Sequence, residues 1–402
     1  MNPALLEAIR FFTRETKIMS GLSVACGSAS RLETAEEGTA AGESTVFDLA
    51  SVTKLFTGLC AMKLREEGLL DFSRPVCDYA PAFAGLRGIT VDQLMAFRVV
   101  VRTPGRIDAC RTREEARACL FAAAPDGVPE KRAYSDIPAM ILRYVIEGAA
   151  GASLMDCVRS RILWPAGMAE TWARVPEERL GDCELYDREH RIEGSRRILR
   201  EGRRGVPHDP KAAILQGDTG ELCGHAGLFS TRGDLVRFCR AVLAGRVVSS
   251  ESLRAMAVNR TGRRLPDGSF SQFLGLQCNV RHPVQYFSEI PAYMGDQAFG
   301  IGGFTGNHLS LDPERGIFAI FLGNRVLNRL TVLLPEEGKT LTDYGLAADG
   351  RGFFRWEDGE TIPSSVHYVH QKDEHLHRVI AEIMGWPEAP FEPETTNPAP
   401  GA

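Results

Sequence analysis

The chain has 402 residues, of which 44% are apolar and 25% charged, and a formal net charge of −5. That composition is globular, with enough length for a large two-lobed molecule and a sizeable core. The negative balance argues against nucleic acid as the main partner, and no uninterrupted apolar run approaches the length of a membrane span.

Residues 4–16 read as an amphipathic helix and lack the basic start, apolar core and small-residue cleavage site of a secretion signal. Gly21 to Ala25 and Arg31 to Glu36 read as a short hairpin with Gly27 at its turn. Residues 45–50 lead to a helix that starts at Ser51, buries Leu55, Leu59, Met62 and Leu64, and stops at Gly68. From Leu70 to about 230 helices dominate, most clearly at Val91–Phe97, Thr112–Ala123, Ile137–Glu147 and Ser153–Leu163. Inside this block the basic run Arg196 to Arg204 is expected to be a solvated loop or helix face. A helix over Thr231–Ala244 leads back to strand-like runs at Leu274–Val280, His308–Leu311 and Ile317–Leu322. Val366–Met384 reads as a closing helix.

Sheet elements at both ends with helices between them predict a two-lobed α/β (α+β) protein. Its α/β lobe takes residues 1–75 and 230–386, with an extra segment at 333–365, and its helical lobe takes 76–229. The proline-rich tail, 387–402, is expected to be disordered. Ten cysteines run from Cys26 to Cys278 without a C-x-x-C pair. They point to buried thiols in a reducing compartment, and the cytoplasm is the expected location.

Ser51-Val52-Thr53-Lys54 is the most informative stretch. A Ser and a Lys three residues apart at the start of an apolar-periodic run share one face of a helix's first turn. A hydroxyl then lies beside an amine, near free backbone N–H groups. S-x-x-K acyl-transfer enzymes need this arrangement. The spacing alone arises about once by chance in a chain of this size, and a Ser capping a solvated turn explains it equally well. Two further stretches give it context. Tyr134-Ser135-Asp136 precedes an apolar helix, where the Tyr can face a cleft or simply pack beside a cap. Phe299-Gly300-Ile301-Gly302-Gly303-Phe304-Thr305-Gly306 is a glycine-rich run ahead of a strand, and it lacks the strand–turn–helix context of a dinucleotide loop.

In this order the three stretches resemble the serine β-lactamase-related family, which includes class C β-lactamases, penicillin-binding D-alanyl-D-alanine peptidases and esterases. Glu66 to Asp71, Pro165 to Met168 and Gly224 to Thr231 also resemble its landmarks, so the resemblance covers most of the chain. It implies an antiparallel sheet flanked by the terminal helices and faced by a mainly helical lobe. It further implies Ser51 as the acylated nucleophile and Lys54 and Tyr134 as the groups that move its proton. The backbone N–H groups of Ser51 and Phe304 would form the oxyanion hole. Asp136, Ile301, Gly302, Gly303 and His225 would border the substrate. Such chemistry uses no metal and no organic cofactor.

The departures narrow the substrate. The family's K-T-G or H-x-G strand reads Ile301-Gly302-Gly303 here, and Ile301 can neither donate a hydrogen bond nor carry charge. The third residue of Y-x-N is Asp136, which as an ionised carboxylate near the acyl site would disfavour an anionic substrate, or which simply caps its helix. The family's L-L-x-H-T-S-G-L stretch is replaced by Leu94 to Arg102. The segment 333–365, with Phe353, Phe354 and Trp356, is expected either to shape the cleft or to be a surface excursion. His367, His370, His375 and His377 lie close in sequence but face different ways on a helix, so no metal site is expected. His208-Asp209 and His225 are expected to fix loops near the cleft.

These features predict a serine hydrolase that acts on a small ester or amide through an acyl-enzyme, as an esterase or acyl transferase. The alternatives are a β-lactamase or D-amino-acid peptidase and, from another class, a non-catalytic ligand-binding protein that keeps the fold. The expected partner is a small-molecule substrate, with no nucleic acid and no membrane. The oligomeric state is open.

Overall fold

Asn2 starts the first helix by accepting the N–H groups of Ala4 and Leu5 at 3.1 and 3.2 Å, and Pro3 takes the first helical position. The computed structural model describes residues 2–217, 219–346, 353–356 and 359–391. This helix, α1 (Pro3–Arg10), continues as a looser turn over Phe11–Glu15. β1 (Gly21–Ser28) and β2 (Leu32–Gly38) then form a hairpin. Gly27, expected at the turn, instead lies inside β1, paired with Leu32 on one side and Phe318 on the other. A Cβ there would meet the Arg31 carbonyl at 2.5 Å, so the glycine serves close strand approach rather than a turn.

α2 (Thr53–Glu66) follows a short 3₁₀ turn over Ala50–Val52, and α3 (Ile137–Ala150) forms the second central helix. Between residues 76 and 229 the chain carries more than helices. β3 (Glu189–Glu193) and β4 (Arg196–Arg200) pair as an antiparallel hairpin. The first half of the basic run, Arg196–Arg200, is therefore a strand, while 201–204 is a mostly exposed loop, as expected, and Glu189 in the partner strand draws Arg200 inward at 3.5 Å. α4 (Pro210–Gln216) and α5 (Arg232–Leu243) lead to β5 (Asn279–Val280), β6 (Phe299–Gly302), β7 (His308–Asp312), β8 (Ile317–Asn324) and β9 (Arg329–Leu334). The strand expected over Leu274–Val280 shrinks to its last two residues. Leu274 bridges back to Asn279 around Gln277, whose φ is +59°, so the run folds onto itself.

The main sheet has the order β5-β6-β7-β8-β1-β2 and is antiparallel throughout. Its central strand β8 is buried along its whole length because both faces are covered. Alternation along β8 divides the core. Phe318, Ile320 and Leu322 join Leu55, Phe56, Ile141 and Phe238 under α2, α3 and α5. Ile317, Ala319 and Phe321 join Leu5, Ile9, Phe12, Leu376 and Ile380 under the terminal helices. The closing helical run comprises Tyr368–Lys372, Asp373–His377 and Arg378–Met384. A fold of antiparallel sheet, flanking terminal helices and a second, helix-rich half is the α/β two-lobed architecture expected.

β9 runs parallel to β3 and makes a second sheet, β9-β3-β4. A small hairpin, Phe353–Arg355 with Thr361–Pro363, packs Phe354 and Ile362 against Ile192 and Leu330. The described part of 333–365 thus buttresses the β3–β4 hairpin; residues 347–352 and 357–358 of that segment lie outside the described residues. The tail expected to be disordered from Pro387 is docked at its start. The Ala389 N–H donates to the Ala292 carbonyl at 2.7 Å, and Arg281 donates to the Ala389 and Pro390 carbonyls. Residues 392–402 lie outside the described residues. Among the described residues no single helix is long and apolar enough to cross a membrane, and the ten cysteines are unpaired, seven of them buried.

Candidate active site

Ser51 stands at a sharp corner between a short strand, Phe47–Asp48, and α2. The residue before it, Ala50, has φ +47°, a conformation that costs free energy for a side chain with a Cβ. Asp48 holds the corner in place. Its carboxylate accepts the N–H of Ala50 at 2.9 Å and of His208 at 2.7 Å, and its carbonyl accepts from Thr305 Oγ1 at 3.1 Å and Asn307 Nδ2 at 2.6 Å. The corner is thereby tied to the turn after β6 and to the loop before α4. Burial pushes the Asp48 carboxyl up in pKa, against the pull of those two N–H donors.

One face of α2 is stitched to the loop around His225. Thr53 Oγ1 accepts the Leu228 N–H at 3.2 Å, Thr57 Oγ1 donates to the Gly224 carbonyl at 2.7 Å, and Lys54 Nζ donates to the His225 carbonyl at 3.1 Å. The loop needs glycine at 224, where φ is +96° and a Cβ would meet the Ala139 carbonyl at 2.5 Å.

Lys54 is fully buried, and its ammonium has three acceptors: Ser51 Oγ at 2.9 Å, Asp136 Oδ1 at 2.7 Å and the His225 carbonyl. Three acceptors satisfy the three N–H bonds of a charged lysine. Burial works against that charge, but the Asp136 carboxylate outweighs it and holds the Lys54 pKa above its ordinary value. Tyr134 lies on the other side, with its ring centroid 5.0 Å from Lys54 Nζ and its hydroxyl in reach of Lys54 and Ser51. Burial pushes the phenol up, so it rests neutral. Its ring stacks on Phe97 at 5.7 Å, and Gln272 Oε1 accepts the N–H groups of Ala133 and Tyr134 at 3.0 and 2.9 Å. Phe97 belongs to the Leu94–Arg102 replacement, so that departure supplies the wall against which Tyr134 packs.

Asp136 occupies the N-cap position of α3 but does not cap it. Its second oxygen binds Lys211 Nζ at 3.1 Å; Lys211 also binds Asp209 at 3.1 Å, and Asp209 binds His225 Nε2 at 2.9 Å. The carbonyl of His225 returns to Lys54. A chain of alternating charge thus runs through Lys54, Asp136, Lys211, Asp209 and His225, closed by the neutral His225 carbonyl on Lys54, the neighbour of Ser51. Burial opposes the Asp136 and Asp209 charges, but the neighbouring cations win and hold both carboxyls below the usual range. Burial likewise opposes a charged His225, and Asp209 overrides it, lifting the imidazole to about 10. Donor atoms of Asp136, Asp209 and His225 lie within 4.8 Å of one another, close enough to share a cation. Two ammonium groups already sit on those carboxylates.

Ser51, Tyr134 and Asp136 line a cavity of about 630 Å³ with Ile301, Gly302 and Phe304. Gly303 also borders it, and a Cβ there would meet the Leu49 carbonyl at 2.9 Å. This contact sets the turn after β6 directly against the Ser51 corner. His225 lies apart from the cavity surface, since its ring is buried and its part in the cluster is played through Asp209 and its own carbonyl. The four C-terminal histidines are dispersed: His375 stacks on Phe11 at 3.7 Å, and His377 accepts or donates at Tyr293 Oη at 2.9 Å. None of the described residues of 333–365 lines the cavity.

Several bordering groups escaped the sequence reading. Lys211, Gln272, Arg191, Arg200, Arg325, Glu289 and Lys372 all reach the cavity. His208-Asp209 gave the one sequence signal for the Lys211 loop.

A family model described as Beta-lactamase matches residues 21–333. Proteins named "Putative D-alanyl-D-alanine carboxypeptidase" from Salmonella paratyphi B and Salmonella typhi are 26% identical over 310 residues, covering 70% of this chain and 70% of theirs. Among solved structures, a class C β-lactamase aligns with TM-score 0.60 at 16% identity, over 81% of this chain and 92% of its own. EstCE1, a hydrolase with promiscuous acyltransferase activity, aligns with TM-score 0.62 at 16% identity, over 80% of this chain and 92% of its own. With its fold shared by those structures and most of its length matched by the family model, the chain belongs to the Beta-lactamase family.

Proposed function

We propose that the protein is a serine hydrolase that forms an acyl-enzyme on Ser51 and acts on a small ester or amide, as an esterase or acyl transferase. The observation that carries this reading is the 2.9 Å contact between Lys54 Nζ and Ser51 Oγ at the wall of the cavity, with the Tyr134 hydroxyl beside both.

Lys54 is held as an ammonium and has no room for another proton, which favours Tyr134 as the shuttle. Ser51 Oγ attacks the acyl carbon while its proton passes to the Tyr134 oxygen and the Tyr134 proton passes to the leaving group. The lysine ammonium stabilises the negative charge that builds on either oxygen. The N–H groups of Ser51 and Phe304 would hold the oxyanion, a term worth on the order of 10²–10³ in rate per donor. Water then enters, gives its proton to Tyr134 and releases the acyl group, as Tyr134 returns a proton to Ser51.

The test is turnover of p-nitrophenyl acetate and butyrate by the wild type and by Ser51→Ala, with nitrocefin in parallel. Ester turnover that depends on Ser51 is the expected result. A second reading, a β-lactamase or D-amino-acid peptidase, draws support from the names of the curated relatives; nitrocefin or D-alanyl-D-alanine peptide turnover exceeding that of the esters would favour it. The absence of a cation at Ile301 weighs against it. Failure of a fluorophosphonate probe to label Ser51 would leave a non-catalytic binding protein.

A further inference from the structure

One wall of the cavity is built by Arg191 on β3, Arg200 on β4 and Arg325, one residue past β8. Only two of these three guanidinium groups reach a carboxylate, and they share the same one. Glu189 takes Arg191 Nε at 2.6 Å and Arg200 Nη1 at 3.5 Å, and it also accepts from His208 Nε2 at 2.8 Å and from the Thr331 hydroxyl. Arg325 has no hydrogen-bonded or ion-paired carboxylate among the described residues; Glu189 and Glu289 act on it only at a distance. It is 7% exposed, its Nη2 donates to the Thr331 carbonyl at 3.2 Å, and its Nε has no partner. A buried cation without a directly paired carboxylate is unfavourable, and arginine does not escape by losing its proton.

The other cations of the cavity are matched. Arg106 pairs with Asp108 at 2.7 Å, Lys372 with Glu289 at 2.6 Å, and Lys211 with Asp136 and Asp209. The surplus is thus local to the Arg325 wall. Phe304 lies within it: Arg191 and Arg325 stand 5.0 and 5.3 Å from its ring centroid, and His208 stacks on it at 6.0 Å. Phe304 is also the residue whose N–H would help hold the oxyanion, so an anion on this wall would be part of the reacting molecule.

We propose that Arg325, with Arg191, holds a carboxylate or phosphate group carried by the substrate, beside the Phe304 ring. The catalytic half of this proposal rests on the Ser51 acyl-enzyme reading; the binding half does not. The wall is made by β8 and by the β3–β4 hairpin that β9 buttresses, whereas Ile301 lies on β6. Planar guanidinium groups suit either oxyanion through paired N–H donors.

The experiment begins with calorimetric titration of Ser51→Ala with glutarate and, separately, with inorganic phosphate at low ionic strength. The same titrations are run on Ser51→Ala carrying Arg325→Gln or Arg191→Gln. One of the two anions should bind, which tells carboxylate from phosphate, and its affinity should fall at least about 10-fold in both arginine variants. Binding of neither anion, or affinity unchanged by Arg325→Gln, overturns the proposal. On the active enzyme, the kcat/KM ratio of p-nitrophenyl hemiglutarate to p-nitrophenyl valerate should drop about 10–100-fold in Arg325→Gln if the anion is a carboxylate. Equal loss on both esters would mark Arg325 as structural and would also overturn it. If Arg325→Gln fails to fold by circular dichroism, Arg191→Gln, whose side chain is 28% exposed, carries the same comparisons. No turnover of either ester, with anion binding retained, would sink the acyl-enzyme reading and leave the anion site standing.

Discussion

Asp136 accepts a 2.7 Å hydrogen bond from Lys54, and the carboxylate and the ammonium fix each other's charge. An amide at this position would share the hydrogen bond without fixing the proton. The serine's neighbour is thereby changed from a candidate base into a permanent cation. Asp136→Asn should let burial dominate, so that Lys54 loses its proton more easily. We expect a new ionisation in the kcat/KM profile below about pH 10, absent from the wild type, with activity reduced on the order of 10-fold at neutral pH. A profile identical to that of the wild type would show that Asp136 has no hold on Lys54.

Lys211 separates two carboxylates, binding Asp136 and Asp209 at 3.1 Å each. Lys211→Met leaves these acids facing one another without the cation between them, and like charges at that spacing cannot both stay fully ionised. One carboxyl should then rise in pKa, giving kcat/KM an acid limb at about pH 4–6. Lys211→Arg should restore the flat profile. Equal loss at every pH, with no rescue by arginine, would reduce Lys211 to a packing role.

The parts of this site that were legible in sequence are the local ones. Ser51 and Lys54 share a helix turn, and β8 announces itself by alternation, with Phe318, Ile320 and Leu322 on one face of the sheet. What was hidden depends on partners far along the chain. Asp136 is 82 residues from Lys54 and resembled a helix cap; its carboxylate is drawn away by two ammonium groups. Arg196–Arg200 lacks the apolar alternation of a strand and is held in one by backbone pairing to β3, which β9 supports from the far end of the chain. Arg325 carried no signal, because an arginine's lack of a partner is a property of the folded surroundings.

Gly303 tests the proposed oxyanion hole without touching a titrating group. A Cβ there would meet the Leu49 carbonyl at 2.9 Å, then Asn307 Cβ at 3.3 Å and Ala50 Cβ at 3.5 Å. Backbone on one side leaves little room to yield, so Gly303→Ala should push the turn after β6 away from the Ser51 corner. Losing the alignment of one N–H donor predicts a fall of about 10²-fold in kcat, with KM changed much less. A variant with near-wild-type kcat would mean that the Phe304 N–H does not hold the developing charge.

Stability should fall away on both sides of a mildly acidic plateau. On the acid side, burial disfavours the Glu189 charge, but His208 and Arg191 overcome it and lower its pKa from 4.5 to about 2. A depressed carboxyl contributes stability that is present above its unfolded value of 4.5 and lost as pH falls towards about 2. On the alkaline side, His225 is lifted from 6.5 to about 10 by Asp209 against the cost of burial. A raised imidazole contributes stability that is complete below 6.5 and lost as pH climbs towards about 10. The melting temperature of the wild type should therefore be highest near pH 4.5–6.5, between those two unfolded values. Glu189→Gln should reduce the acid slope, which Asp136 and Asp209 share, and His225→Asn should reduce the alkaline one. A melting temperature that keeps rising from pH 6.5 to 10 in the wild type would contradict a charged His225 in the folded state.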